Sequence, residues 1–407
     1  MRRLTNLLAA LLAAAPIAAP IAVAAAGFDG AVKIGVLTDF SSVYQDNTGN
    51  GSLAAARMAV DDYLAAHPGS ALKPAVVNAD HQHKPDAGMQ IARRWFDEEG
   101  VDAIVDLTNS AIALGVAGLA ADKNKVALVT ASGTTRLTGD ACNANTLHWG
   151  FDNYGIATAT ARSVVQSGGR SWFFVTVDYA FGHDLEGQAS RAIRESGGEV
   201  LGAARHPLGN QDFASFLLQA QASGAQVVGF ANGGGDFSNA LKQAVEFGIP
   251  RTQKVAGMYV EINDIKALGL DVAQGLVYSQ PFYWDLNAAT RAWTERFLKR
   301  HDKYPTSNHA AAYSAVLHFL KAIEAERARD GRAIVARMKA TPTDDEAFGP
   351  GSIRADGRML SPMYLFQVKS PGESKGPWDV SKVLARVEAG EAWRPLAEGG
   401  CPLAASR

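Results

Sequence analysis

One strand–loop–helix unit occurs twice in this chain of 407 residues. Residues 171–183 read SWFFVTVDYAFGH: a strand-favouring apolar run, an acid, two aromatic residues, and a glycine before a helix-like run. Residues 32–40 read VKIGVLTDF and start the same plan about 140 residues earlier, close to the size of one domain. A strand feeding a loop and then a helix is the unit of a doubly wound sheet, whose ligands bind beyond the carboxyl ends of the strands.

The repetition extends to the next two strands of each copy. Residues 103–109 (AIVDLTN) match 226–232 (QVVGFAN), and 125–131 (KVALVTA) match 254–260 (KVAGMYV). Self-similarity of this kind decides the architecture. We therefore predict an α/β fold of two doubly wound parallel-sheet lobes whose strand ends face each other across a cleft. The competing interpretation is that any two parallel α/β domains look roughly alike.

Three aromatic or glycine-rich segments would connect the lobes: 147–154, 273–284 and 349–356. They predict a three-strand hinge, and hinge closure around a ligand is the motion that such a build allows. The predicted division is a signal peptide at 1–26, lobe one at 27–149 plus 284–350, and lobe two at 150–283 plus 351–407.

The amino terminus predicts export. Arg2 and Arg3 precede an apolar stretch that ends in three alanines before Gly27, the pattern of a secretory signal peptide cleaved near Ala26. The alternative is an uncleaved membrane anchor. The formal net charge is −2 with no basic block, so we expect a soluble periplasmic monomer that has no nucleic-acid partner.

Cysteine and histidine usage limits the chemistry. The chain has two cysteines, Cys142 and Cys401, which form a disulfide candidate in an exported protein. His81 and His83 suggest a metal, but a site needs a third or fourth ligand and only Asp80 is near. We therefore expect these histidines to lie in a solvated loop, and we predict neither a metal nor a cofactor.

Polar loops after the predicted strands supply candidate ligand contacts. Ser41 lies near a helix start, where backbone N–H groups can meet an anion, although a plain helix cap explains it equally. Residues 130–135 (TASGTT) form a small, hydroxyl-rich turn suited to a carboxylate, with a capping turn as the alternative. Asn232, before three glycines, is the first choice for a side-chain contact in lobe two; no Gly-Lys-Ser/Thr follows, so this is no phosphate loop.

Several stretches resemble a known family. They are VKIGVLTDFSSVY, ARRWFDEEGVDAIVD, KNKVALVTASGTT, SWFFVTVDYAFGHDLE, FASFLLQAQASGAQVVG and FYWDLN. In this order they resemble the type I periplasmic solute-binding proteins of the branched-chain amino acid group, receptors of certain ABC importers. The specific resemblance is to the subgroup that captures aromatic and other small organic acids.

The resemblance implies where a ligand would bind. The loop from Ala131 to Thr134 would hold the carboxylate of the ligand. Asn109 or Ser110 would add a polar side chain, and residues of lobe two would complete the site. The sequence departs from the amino acid binders at Asn232, where they tend to have Tyr, and around Glu261, where they place a Glu for the ammonium group. The implied and predicted binding residues are Ser41, Tyr44, Asn109, Ser110, Ala131, Ser132, Gly133, Thr134, Tyr154, Tyr179, Phe181, Asn232, Tyr259 and Tyr283.

These features predict non-catalytic capture of a small carboxylate, an aromatic acid such as a benzoate, hydroxybenzoate or cinnamate, for the permease subunits of an ABC importer. The alternatives are a branched-chain or other aliphatic amino acid, or a ligand sensor for a signalling partner. An exported enzyme is disfavoured because the chain has no nucleophile elbow or paired carboxylates. Asp178 or Asp39 with a His would be the acid/base candidates, and neither has a partner evident in the sequence.

Overall fold

The computed structural model describes residues 28–404. Its strands are β1 (Ala31–Thr38), β2 (Lys73–Asp80), β3 (Ala103–Asp106), β4 (Val126–Val129), β5 (Thr146–His148), β6 (Ser171–Val177), β7 (Glu199–His206), β8 (Val227–Ala231), β9 (Lys254–Gly257), β10 (Val277–Gln280), β11 (Ser352–Ile353), β12 (Met359–Leu360), β13 (Met363–Val368) and β14 (Ser381–Val387). Its helices are α1 (Gly49–Ala66), α2 (Pro85–Asp97), α3 (Ser110–Asp122), α4 (Asn153–Gln166), α5 (Ala180–Glu195), α6 (Ala214–Ala222), α7 (Gly234–Glu246), α8 (Ile262–Leu268), α9 (Leu270–Ala273), α10 (Ala288–Leu298), α11 (Ser307–Glu326), α12 (Gly331–Ala340) and α13 (Ala389–Ala392).

Lobe one is a parallel sheet in the order β2-β1-β3-β4-β5, packed against α1–α3 and α10–α12. Every residue of β3 and β4 is buried, as expected of central strands covered by helices on both faces. Helix α11 packs along α1, and large aromatic side chains such as Trp293 and Phe297 fill the space beside them. The sheet therefore presents the ends of β1, β3 and β4, and the loops that follow, at one edge.

Lobe two repeats this plan and extends it. Its sheet has the order β14-β13-β10-β9-β8-β6-β7, in which β10, β9, β8, β6 and β7 are parallel and β13 and β14 are antiparallel additions. The predicted architecture of two parallel-sheet lobes is confirmed. The sequence after residue 369 is rich in Pro and Gly and suggests an irregular tail, but residues 381–387 form the edge strand β14.

Three stretches of chain pass between the sheets: from β5 to α4, from β10 to α10, and into β13. The first and third contact each other, since the His148 N–H donates to the Gly357 carbonyl at 2.9 Å and Arg358 Nη2 donates to the Gly150 carbonyl. Arg358 is fully buried, with its guanidinium 4.0 Å from the centre of the Trp393 ring. The segment 349–356 leads into a β11–β12 hairpin before this contact. The residue boundaries proposed for the lobes stay predictions.

The predicted disulfide is confirmed: Cys142 and Cys401 are bonded, with Cα atoms 5.6 Å apart. It fastens the end of the described chain to the segment between β4 and β5. Arg394 adds a contact there, donating from Nη2 to the Thr135 carbonyl at 2.8 Å. The carboxyl-terminal segment therefore runs from the edge of lobe two back to lobe one.

The predicted signal peptide at 1–26 lies outside the described residues. Between residues 28 and 404, no helix combines the length and apolar character that crossing a bilayer requires.

Candidate ligand site between the lobes

The two lobes contact each other across the cleft. Asn47 of lobe one donates its side-chain amide to both carboxylate oxygens of Asp264 in lobe two, at 3.0 and 3.2 Å. Asn263 of lobe two donates its side-chain amide to the Asp46 backbone carbonyl of lobe one at 2.6 Å. The structure is therefore a closed form, in which loops at the strand ends of both lobes meet.

Glu261 is part of this closure. Its carboxylate accepts hydrogen bonds from the backbone N–H of Ser307, at 3.1 Å, and from the Ser307 hydroxyl. Glu261 is buried, and burial raises the pKa of its carboxyl to about 8. Glu261, which the resemblance sets near the ammonium-binding Glu of amino acid binders, is thus hydrogen-bonded to lobe one.

Aromatic rings from both lobes form a cluster, which we call the interlobe aromatic cluster: Tyr44, Phe151, Tyr179, Phe181 and Tyr259. The Tyr44 ring centre lies 6.4 Å from those of Phe181 and Tyr259, and Tyr259 stacks on Phe151 at 4.7 Å. The hydroxyls of Tyr179 and Tyr44 are 3.3 Å apart. Three predicted residues of lobe two, Tyr179, Phe181 and Tyr259, therefore meet the predicted Tyr44 of lobe one.

The loop after β4 carries a row of unpaired amides. The Ala131 N–H donates to the Asp106 carbonyl at 3.1 Å. Within the described residues, the next three backbone N–H groups, of Ser132, Gly133 and Thr134, have no hydrogen-bond acceptor, although all three residues are buried. Backbone N–H groups that have no partner in a loop are available to bind an anion. Buried backbone N–H groups are otherwise almost always paired.

The side chains of this loop are partly used within lobe one. Ser132 Oγ donates to Ser110 Oγ at 3.2 Å, which places the two predicted hydroxyls side by side. Thr134 Oγ1 accepts from the Arg136 N–H at 3.5 Å, as a capping residue does. The Thr134 side chain therefore caps the following helical turn, as the alternative interpretation of this loop expected, while the Thr134 backbone N–H has no acceptor among the described residues.

Asn109 and Ser41 also have structural partners. Asn109 caps α3, accepting on Oδ1 from the N–H groups of Ala111 and Ile112 at 2.8 and 3.1 Å. The Ser41 hydroxyl donates to Asp80, and the Ser41 N–H lies 3.3 Å from Asp39 Oδ1. The amides predicted to meet an anion at this helix start thus surround the chain's own carboxylate.

Asn232 is fully buried in lobe two. Its side-chain amide donates to His206 Nε2 at 3.0 Å, and His206 Nδ1 in turn contacts the Pro207 carbonyl at 2.9 Å. Because a carbonyl can only accept, the His206 proton is assigned to Nδ1. Asn232 Oδ1 is left without a partner among the described residues.

Two predicted residues lie apart from the interlobe aromatic cluster. Tyr154 packs beneath the guanidinium of Arg191, 4.8 Å from its ring centre. The Tyr283 hydroxyl donates to the Trp378 carbonyl at 3.1 Å, and its ring packs on Phe366 in the core of lobe two. Both aromatic rings serve packing between elements of lobe two, an alternative that sequence alone leaves open for each aromatic residue.

The expectation of a solvated loop at His81 and His83 is wrong. His81 is 0% exposed and His83 is 6% exposed. Burial lowers the pKa of each imidazole to about 4. The positions looked polar in sequence, but the His83 ring is covered by Tyr44 and by Tyr179 of the other lobe, which no local pattern reveals. Among residues 28–404, no three potential ligand side chains group to hold a metal ion.

Asp178 does have a partner, contrary to the sequence interpretation. His183 Nε2 lies 2.8 Å from Asp178 Oδ1, and both side chains are about half exposed, at 49% and 56%. Residues missed by sequence reasoning include His83, Ser307 and Asn308, whose amide donates to the Tyr259 hydroxyl at 2.8 Å. Ser307 and Asn308 lie on α11, far along the chain from the repeated units, so no spacing signal pointed to them.

Two parallel-sheet lobes that close over the loops at their strand ends define the chain as a two-lobed ligand-binding protein. It belongs to the periplasmic binding protein family, whose model matches residues 31–376. Members bind small ligands and work with ABC transporter permeases, and membership implies a periplasmic location.

Solved structures and curated proteins similar to this chain support the same family membership. A periplasmic binding protein from Burkholderia mallei is 44% identical, with a TM-score of 0.89 over 93% of this chain and 100% of that one. A branched chain amino acid ABC transporter periplasmic ligand-binding protein from Burkholderia xenovorans LB400 is 39% identical, with a TM-score of 0.81 over 92% and 100%. A Leu/Ile/Val-binding protein homolog 6 from Brucella abortus is 26% identical over 60% of this chain, and the match spans 63% of that relative's length.

Proposed function

We propose that this protein captures a small carboxylate that lacks an α-amino group, an aromatic acid of the benzoate, hydroxybenzoate or cinnamate kind, for delivery to an ABC importer. It acts without catalysis, as an exported protein released from a signal peptide near Ala26. The observation that carries the proposal is that three consecutive buried residues, Ser132, Gly133 and Thr134, have backbone N–H groups without a hydrogen-bond acceptor among the described residues.

A carboxylate suits this row for electrostatic reasons. Hydrogen bonds from N–H groups to an ionised acceptor are about twice as strong as those between neutral groups. The neighbouring hydroxyls of Ser110 and Ser132 can rotate to donate to the same anion, since their present contact is only with each other. The loop would thus offer up to five donors to one carboxylate, which compensates for taking its charge out of water.

An α-amino group fits this cleft poorly. Glu261 is held by Ser307 and burial raises its pKa to about 8, so an ammonium would have to compete with Ser307 for this carboxyl and ionise it. Asp184, another acid between the lobes, already accepts from Thr135 and Asn153. An ammonium buried without an ionised partner is costly. This argument runs against the amino acid ligands that the names of some relatives suggest.

A planar apolar body suits the interlobe aromatic cluster. Phe181 and Tyr259 meet edge to face at 5.7 Å, and Tyr44 approaches Phe181 at the same kind of angle. Aromatic pairs of this geometry gain about 0.5–1.5 kcal/mol beyond the area that they bury. A ligand ring entering between them would gain similar contacts, with rings from both lobes holding it when the cleft is closed.

The test is a thermal-shift and calorimetric screen of the mature protein. The panel pairs each acid with its uncharged relative, such as benzoate with benzamide and cinnamate with cinnamamide, alongside leucine, isoleucine and valine. A true ligand at 100 times its Kd stabilises by about 2.7 kcal/mol. We expect shifts with the aromatic acids and none with the amides. A shift with leucine, isoleucine or valine alone would overturn the proposal, and conversion of a bound acid to a product would refute a non-catalytic role.

A further inference from the structure

The loop after β2 places two buried histidines against the interlobe aromatic cluster. The inference drawn from them rests on the proposed function, because it concerns the ligand of the same cleft. The His83 ring lies 5.1 Å from the Tyr44 ring and 5.3 Å from that of Tyr179, which it meets at 88°. His83 therefore contacts one ring from its own lobe and one from the other.

The backbone holds His83 in this place by an unfavourable conformation. Gln82 and His83 have φ angles of 50° and 58°, in the left-handed region that residues other than glycine rarely adopt. The Asn109 side-chain amide approaches the His83 carbonyl at 3.4 Å from the start of α3. Such strain persists only where the surroundings enforce it, and it concentrates at ligand-binding sites.

Three imidazole nitrogens of His81 and His83 have no hydrogen-bond partner among the described residues. His81 Nδ1 accepts from the His83 N–H at 3.0 Å, so the proton of the neutral His81 ring is assigned to Nε2. Within residues 28–404, neither His81 Nε2 nor either ring nitrogen of His83 has a hydrogen-bond partner. The pair thus buries two unpaired N–H donors and one unpaired lone pair, which is unfavourable unless a partner arrives.

We propose that His83, aided by His81, recognises a hydroxyl substituent of the bound acid. A hydroxyl can accept one hydrogen bond and donate another, which matches the free N–H at His81 Nε2 and the free lone pair of the His83 ring. A second carboxylate would instead require a charged imidazole, and burial opposes that charge. A methyl or unsubstituted position would leave the nitrogens unpaired. The favoured substrate class is therefore a hydroxylated aromatic acid rather than the parent acid.

The test compares affinities by calorimetry for benzoate against 2-, 3- and 4-hydroxybenzoate, and for cinnamate against its hydroxylated forms. For wild-type protein we expect one hydroxylated isomer to bind at least 10-fold more tightly than its parent. His83→Phe keeps a ring between Tyr44 and Tyr179 but removes both nitrogens. We expect this variant to lose the 10-fold preference, measured as the ratio of hydroxylated to parent affinity within the same protein.

The controls separate the two proposals. Binding of the parent acid to wild-type protein reports on the proposed function, and the ratio of hydroxylated to parent affinity reports on His83. His83→Gln, which can still donate and accept, should restore part of the preference and serves as the readout if His83→Phe does not fold. A preference that survives in both variants, or no preference in wild-type protein, would overturn the assignment of His83. Failure of every aromatic acid to bind would overturn both proposals.

Discussion

The backbone N–H of Ser307, in the first turn of α11, lies 3.1 Å from Oε2 of Glu261, the residue that caps α8 in the other lobe. The Ser307 hydroxyl also donates to Glu261 and lies 3.0 Å from Gln280 Oε1. Helix α11 belongs to lobe one, whereas β9, β10 and α8 belong to lobe two. These hydrogen bonds join the two lobes, and we expect them to add to the free energy of ligand-driven closure.

Ser307→Ala should weaken ligand binding. The variant loses the hydroxyl bond to Glu261 that joins the closed lobes, at a cost of about 1–3 kcal/mol, or about 5- to 150-fold in Kd. Titration calorimetry with the acid identified in the screen measures the change. Ser314→Ala, on the same helix, is the matched control, because Ser314 bonds only Trp149 and Asp345 within lobe one. The control should lower the Tm and leave Kd unchanged; equal Kd changes in both variants would contradict the closure role.

Glu261→Gln should change how stability depends on pH. Burial raises the folded-state pKa of Glu261 to about 8, above its unfolded value near 4.5. The folded state therefore holds a proton that the unfolded state releases between these values, so this contribution to stability is full below pH 4.5 and is lost as the pH rises towards 8. Glutamine cannot titrate. The Tm of the variant minus that of wild type should become more positive from pH 4.5 to pH 8, as calorimetry can measure.

The pH 4.5 comparison is the internal control for this variant. There the folded-state glutamate is neutral and the unfolded-state glutamate is half ionised, so the remaining Tm gap reports chiefly the altered hydrogen bonding to Ser307. A gap that is constant across the range would show that the carboxyl of Glu261 is ionised in the folded protein.

The repeated units predicted the fold because strand order and hydrophobic runs are local properties. The apolar sequences of β4 and of β6, which precedes Asp178, are typical of buried strands. β14 could not be recognised, because its pairing with β13 depends on a bulged antiparallel register that only the folded sheet defines. The disulfide followed from the cysteine count and the predicted export.

The sequence predicted only those site residues that lie in loops directly after strands. Ser110 and Ser132, from loops after adjacent strands, come together because parallel strands end at one edge of a sheet. Tyr283 follows a strand in the same way, yet its hydroxyl is used by the backbone at Trp378 and Val380. His83 was expected in a solvated loop and Ser307 was not singled out, because the contacts of both residues are made between lobes and depend on how the lobes close.

Removal of the disulfide should destabilise the protein. Cys142 and Cys401 are separated by 259 residues, so the bond restricts a long loop of the unfolded chain. Loss of a native disulfide costs roughly 2–5 kcal/mol. The double variant Cys142→Ser/Cys401→Ser should have a lower Tm than wild type by differential scanning calorimetry. A phosphine reductant should bring wild type to the same Tm and leave the variant unchanged; an unaltered wild-type Tm after verified reduction would contradict the prediction.

Gly133→Ala should block closure at the carboxylate loop. A Cβ on Gly133 would lie 2.1 Å from Asn153 Oδ1 and 2.8 Å from the Phe151 ring, so one of them must move. Asn153 is not free to do so, because its amide donates to Asp184 at 2.9 Å and to the Phe181 carbonyl at 3.3 Å. We expect Kd to rise at least 10-fold, about 1.4 kcal/mol, with little change in the Tm of the ligand-free protein.

Gly118→Ala is the matched control for this substitution. Gly118 lies inside α3, and a Cβ there would meet no atom within 4 Å. Replacing a helical glycine by alanine stabilises by about 1 kcal/mol, so this variant should have a raised Tm and an unchanged Kd. Small-angle scattering with saturating ligand gives a second readout: wild type and Gly118→Ala should contract on binding, whereas Gly133→Ala should stay extended. Full contraction and unaltered affinity in Gly133→Ala would show that the loop at residues 131–134 does not close on the ligand.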